Sequence, residues 1–218
     1  MKRVIIICEG PTEKEFGQHL LFDHFIQKEI LIQCPLIKKT GGGIVHWHTL
    51  KKEIETHLLE SDVYVTLLID YYGLHSKHDF PGWENSLKIV NKNERMNFIE
   101  LSMKNDISES SQHRFIPYMQ LHEFEGLLFT DKQIFYNQVD KDDLVGIEEL
   151  EQTFRDYSDN PEMINNTKET SPSHRLKRII RGYKKVLYGH YFAEVIGLEK
   201  IRNKCPRFNA WLTIIETI

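Results

Sequence analysis

The sequence predicts an α/β fold: a mainly parallel, Rossmann-like sheet flanked by helices, with a helical C-terminal part. Three observations predict it. Val4-Ile5-Ile6-Ile7 and Val63-Tyr64-Val65-Thr66-Leu67-Leu68-Ile69 are unbroken, mostly apolar and rich in β-branched residues, the pattern of strands covered on both faces. Each is followed by a stretch of helical periodicity, which supplies the crossover that parallel strands need. Beyond about residue 130 the alternation stops and helical patterns remain. The 218 residues therefore divide into an α/β core over 1–130 and a helical extension over 131–218 packed on that core.

The elements follow in order. Residues 2–8 read as the first strand. A helix is predicted over 11–29, opened by Pro11 at a first helical position and carrying Phe16, Leu20, Leu21 and Phe25 at helical spacing. Residues 30–37 read as a strand, and Pro35 places it at a sheet edge, because proline donates nothing to a ladder. Lys38 to Gly43 is a glycine-rich connection without the Gly-Lys-Ser/Thr ending of a nucleotide loop. A helix over 46–59 and a central strand over 62–70 come next. A polar loop at 73–82, a charged helix at 83–104 and a serine-rich turn lead to a strand over 114–121. Further helices are predicted at 146–157, 172–186 and 206–217.

Composition narrows the function classes. A net charge of −4 gives no global attraction to a polyanion, so binding of nucleic acid would need a local patch. Three cysteines, Cys8, Cys34 and Cys205, are too few and too scattered for a disulfide framework. The first strand starts within a few residues of Met1, leaving no room for a signal peptide. No apolar run approaches the roughly 18 residues that span a bilayer. The expectation is a cytoplasmic protein with no membrane contact.

The chemistry-bearing residues gather at strand ends. Glu9 and Glu13 follow the first strand, Asp70 ends the second buried strand, and Glu123 and Glu125 follow the last. In a parallel sheet these ends share one edge, where open α/β folds build their sites. Carboxylates converging there repel one another unless a cation joins them, and hard oxygen donors suit Mg²⁺ or Mn²⁺. Metals between such carboxylates serve in-line phosphoryl transfer. His122, beside Glu123, is a candidate general acid/base. Each acid also has a plainer reading: Glu13 favours a helix N-terminus, and Glu125 could be solvated on a short helix. From Ser171 to His190 there are six basic residues and no acid. Arg175, Arg178 and Lys185 share a predicted helix face that either meets a phosphate backbone or is simply solvated.

These stretches carry a resemblance. Glu9-Gly10 after an apolar strand, with a later strand ending in an acid and a glycine, resembles the Toprim fold of topoisomerases, primases and OLD-family nucleases. More closely, the chain resembles the DUF4276 family. The matching stretches are Glu9-Gly10-Pro11-Thr12-Glu13, Ile69-Asp70-Tyr71-Tyr72-Gly73-Leu74 with Phe80-Pro81-Gly82, and Phe115-Ile116-Pro117-Tyr118 leading to His122-Glu123-Phe124-Glu125. Glu169 to Ser173 with Arg175-Leu176, and Cys205 to Asn209 with Trp211, complete it. The resemblance implies a Mg²⁺- or Mn²⁺-dependent nuclease with Glu9, Asp70 and Glu123 as catalytic residues and metal ligands, and Glu13 and Glu125 as further ligands. It also implies a separate ATPase partner, as in OLD-like systems, and leaves room for a homodimer. The Toprim pattern is Asp-x-Asp, and here Tyr72 stands at the second position. Glu123, Glu125 or Asp79 would then replace the missing ligand, or the site holds one metal. The Tyr72 phenol could itself hydrogen-bond a phosphate. The competing expectation is a scaffold that lost cleavage with that aspartate and serves as a binding subunit.

Overall fold

The computed structural model describes residues 1–38, 43–165 and 167–218. Most of the glycine-rich connection therefore lies outside the described residues. Among the described residues, four parallel strands form one sheet: β1 (Lys2–Cys8), β2 (Ile30–Gln33), β3 (Val63–Leu68) and β4 (Phe115–Ile116), in the order β2-β1-β3-β4. β1 and β3 run side by side from Arg3 opposite Val63 to Cys8 opposite Leu68. The chain leaves β1 toward β2 on one side, then returns to lay β3 on the other. The strand order reverses between β1 and β3, the place beyond whose carboxyl ends open α/β sheets hold their ligands.

The helices confirm the pattern with local differences. The first runs as α1 (Pro11–Phe16), a π-helical stretch (Gly17–Leu21) and α2 (Phe22–Ile26). α3 spans Trp47–Leu58. The helix predicted over 83–104 is two, α4 (Trp83–Ser86) and α5 (Lys92–Asp106). Asn91 separates them because its side chain caps α5, accepting from the amides of Asn93 at 2.9 Å and Glu94 at 3.2 Å. The strand predicted over 114–121 pairs only at Phe115–Ile116 and again where Gln120 meets Asp70, since Pro117 breaks the ladder between them. The edge strand likewise shortens to β2, with a further bridge from Leu36 to Cys8.

After a 3₁₀ stretch at Phe124–Thr130 come α6 (Gln133–Gln138), α7 (Ile147–Tyr157) and α8 (Pro172–Ile179). α9 (Lys185–Ile196), α10 (Leu198–Lys204) and α11 (Pro206–Glu216) close the chain. The predicted helix over 172–186 thus stops at Ile179. Gly182, with φ +71, turns the backbone in the left-handed region before α9 begins.

The sheet separates two cores. Ile5, Ile7, Val63, Val65, Leu67 and Ile69 face α3 and α5. Val4, Ile6, Cys8 and Leu68 face the first helix and the C-terminal helices, among them Phe192, Phe208 and Trp211. The period of two along each strand makes this division. Trp211 on α11 stacks on Tyr118 with ring centroids 4.5 Å apart, and its indole N–H donates to Thr66 on β3 at 2.8 Å. The three cysteines are buried and free. Among the described residues, no helix is long and apolar enough to cross a membrane.

Candidate functional site

β1 and β3 deliver Glu9 and Asp70 to the strand-order reversal. The Glu9 amide still belongs to the sheet, donating to the Leu68 carbonyl at 3.0 Å. Its side chain turns back across the gap: Glu9 Oε2 accepts the Asp70 amide at 2.9 Å. Asp70 in turn accepts the Phe124 amide on Oδ1 at 2.9 Å. The two acids are thereby tied to each other's strand and to the segment carrying Glu123 and Glu125. Glu13 reaches the same place from the first turn of α1, where its carboxylate folds over Gly10. A Cβ on Gly10 would lie 2.9 Å from Glu13 Oε2, so a larger residue here would push the Glu13 carboxylate aside.

Glu125 completes the cluster from the 3₁₀ stretch and is fully buried. Its Oε1 lies 3.1 Å from Lys185 Nζ, and neither of its oxygens has a hydrogen-bond partner among the described residues. Lys185 enters because α9 packs tightly on α1 through Gly189, where a Cβ would clash with Thr12. The Tyr183 hydroxyl, also buried and without a hydrogen-bond partner among the described residues, lies close enough for Glu125 and Lys185 to influence its ionisation.

The electrostatics match this crowding. Burial pushes Glu9 up to about 7, against the Asp70 amide, with Glu13 and Glu125 adding repulsion and Lys185 opposing it. Burial likewise pushes Glu125 up to about 7, against Lys185. Asp70 is held well above the usual carboxylate range, first by burial and then by Glu13. Burial alone would lower the Lys185 ammonium, but Glu125, Asp70 and Glu13 outweigh it and keep it charged. Perturbed groups of opposite sign gathered at one sheet edge are candidates for a functional site on physical grounds.

Other expected site residues sit differently. Both oxygens of Glu123 are engaged by Ser173: Oε2 accepts its amide at 2.9 Å and Oε1 its hydroxyl at 3.0 Å. Glu123 thus satisfies buried donors of Ser173 in the first turn of α8. His122 has the backbone of a left-handed residue, φ +68. Its Nε2 lies 3.0 Å from Lys92 Nζ, which also donates to the Asn165 carbonyl at 2.9 Å. A lysine ammonium only donates, so Nε2 accepts and the ring proton sits on Nδ1. Burial, Lys92 and Arg95 lower His122 to about 3, leaving it neutral and weakly basic at neutral pH. Tyr72 is half-buried, its amide donating to the His122 carbonyl at 2.9 Å.

The basic stretch does not present the expected face. Arg178 donates to Glu149 from Nε at 2.8 Å and from Nη2 at 2.5 Å. Arg175 donates to the Thr170 carbonyl at 2.8 Å and the Thr153 hydroxyl at 2.9 Å, and lies 3.8 Å from Glu149. Lys185 is on a different helix, in the acid cluster. Its place there was not legible in the sequence; Gly182 was the available signal that the predicted helix would end and reorient it.

The donor set fits a hard divalent cation in kind. The side chains are carboxylates, and Glu125 keeps a buried oxygen that such an ion would satisfy. Glu9, Glu13, Asp70 and Glu125 are the residues that would hold it. Among the described residues, no three Asp, Glu, His or Cys side chains already converge as a ligand group; the counter-charge seated beside Glu125 is Lys185. No curated protein and no solved structure matches the chain. The family model described as "Domain of unknown function (DUF4276)" matches residues 8–216, and the chain belongs to that family.

Proposed function

We propose that the protein is a Mg²⁺- or Mn²⁺-dependent, Toprim-like nuclease that hydrolyses nucleic-acid phosphodiesters. The gathering of Glu9, Glu13, Asp70 and Glu125 around Lys185, at the strand-order reversal, carries this reading. Acids whose burial raises their proton affinity gain most from a cation that returns them to the charged form. A bound divalent ion would polarise the phosphodiester and lower the pKa of a nucleophilic water. Glu9 and Asp70, fixed by backbone hydrogen bonds, would hold the ion without having to reorganise. His122, neutral and bonded by Lys92, would position Glu123 and the Tyr72 backbone rather than carry protons. Arg175 and Arg178 are committed to neighbouring groups. The backbone contact falls instead to Lys177, Arg181 and Lys184, which are exposed and have no ion pair among the described residues. Such contacts are sequence-independent and salt-sensitive.

The test is cleavage of plasmid and single-stranded substrates in Mg²⁺ or Mn²⁺. Wild type is expected to cut, and Glu9→Gln and Asp70→Asn to lose at least about a hundredfold in rate, as when groups acting on transition-state charge are removed. No cutting with either metal, or equal cutting by the variants, would reject the reading. Two observations favour a second reading, a non-catalytic subunit working with a separate ATPase. Tyr72 replaces an acid and Glu123 is occupied by Ser173, so fewer ligands remain. Nucleic-acid binding that persists without metal or cleavage would select it.

A further inference from the structure

Lys185 is an unusual residue for its place. It opens α9, a helix with no acid in its first turn, where the positive end of the helix dipole disfavours a cation. Lys184 precedes it, adding like charge. Nothing within its own helix accounts for a lysine here; the acid cluster does. Its side chain is 43% exposed, yet its ammonium lies 3.1 Å from an oxygen of Glu125, whose side chain is 0% exposed. The ammonium therefore sits at the boundary between the buried acids and solvent, on a flexible four-carbon stem that can swing outward.

We propose that Lys185 is the resident counter-ion of the acid cluster and that a divalent cation binds by displacing its ammonium from Glu125. This rests on the reading of the cluster as a metal site and extends it: metal loading is a cation exchange, and it releases a positive charge at the mouth of the site. The freed ammonium is then available to a phosphate arriving beside the ion. Lys185 is a positioning residue in the metal-free protein and meets substrate only after exchange. Glu125 is the hinge of the exchange, because neither of its buried oxygens has a hydrogen-bond partner among the described residues and the Lys185 ammonium 3.1 Å from Oε1 is the charge that faces them.

The test measures Mn²⁺ affinity by electron paramagnetic resonance titration, independently of activity, in wild type, Lys185→Met, Lys185→Gln and Lys185→Arg. Circular dichroism verifies that each variant is folded. Removing the competitor is expected to tighten Mn²⁺ binding at least tenfold in Lys185→Met and Lys185→Gln, while Lys185→Arg, which keeps the charge, stays within about threefold of wild type. Cleavage should fall in both neutral variants despite the tighter metal. Saturable Mn²⁺ binding in wild type with no tightening in the neutral variants overturns the exchange and leaves the metal site standing. Binding only in the neutral variants overturns the exchange, because the cation then fails to displace the lysine, and shows that the wild-type cluster is not a metal site. Absence of binding in all four proteins overturns both.

Discussion

Glu125 shows at the residue scale how the cluster trades stability for chemistry. Its carboxyl is raised from an ordinary 4.5 to about 7, so the folded protein holds that proton more tightly than the unfolded chain. The resulting stabilisation is fully present below about pH 4.5 and is lost as the pH rises through about 7. Glu125→Gln removes the titration. In EDTA the variant is expected to gain on wild type between pH 5 and pH 8, by up to about 3 kcal/mol at roughly 1.4 kcal/mol per pKa unit, read from urea unfolding at both pH values. A difference that does not change with pH would contradict the assignment. His122 behaves oppositely. Lowered to about 3, it opposes folding as the pH falls from about 6.5, because the unfolded chain takes up the proton first. Its ring resonances in an NMR titration are expected to stay those of a neutral imidazole down to pH 4; a midpoint near 6.5 would show that Lys92 is not bound to Nε2.

At the scale of elements, two contacts hold the site's parts in place. Glu123 binds the start of α8 through Ser173. Glu123→Ala is expected to cost about 1–3 kcal/mol, the range for buried hydrogen bonds to a charge, with or without metal; a loss confined to metal-loaded protein would instead mark Glu123 as a ligand. α9 docks on α1 where Gly189 meets the Thr12 methyl. Gly189→Ala should cost about 1–3 kcal/mol by overpacking, and most of that loss should vanish in a Thr12→Ser background, where the methyl is gone. The elements were unevenly legible in the sequence. The buried strands β1 and β3, with Glu9 and Asp70 at their ends, were plain from unbroken apolar runs. The interruption of 114–121 followed from Pro117, which a longer strand had to ignore. α9 was missed because its apolar residues surround the helix and give little periodicity, while the basic residues of 175–185 suggested one continuous face. The arginine partners were hidden because Glu149 lies on another helix, almost thirty residues away.

The whole molecule depends on its C-terminal helices. They cover the face of the sheet formed by Val4, Ile6, Cys8 and Leu68, and Trp211 is bonded to Thr66 across the chain. No local pattern reveals such long-range pairings; packing decides them. A fragment of residues 1–130 is expected to leave that face bare, bind a hydrophobic dye and lack a cooperative melt, whereas the full chain unfolds in one transition. A cooperative melt of the fragment matching the full chain would show that the helices are dispensable. The same helices bring Lys185 to acids presented by three strand ends, so the proposed site exists only in the complete fold. Its central claim is that these acids bind a divalent cation. A Mn²⁺ titration of the full chain at pH 7.5, followed by electron paramagnetic resonance, tests it most directly. The account predicts saturable loss of the free-ion signal in wild type and none in Glu9→Gln or Asp70→Asn. A wild-type titration indistinguishable from those of the two variants would contradict it.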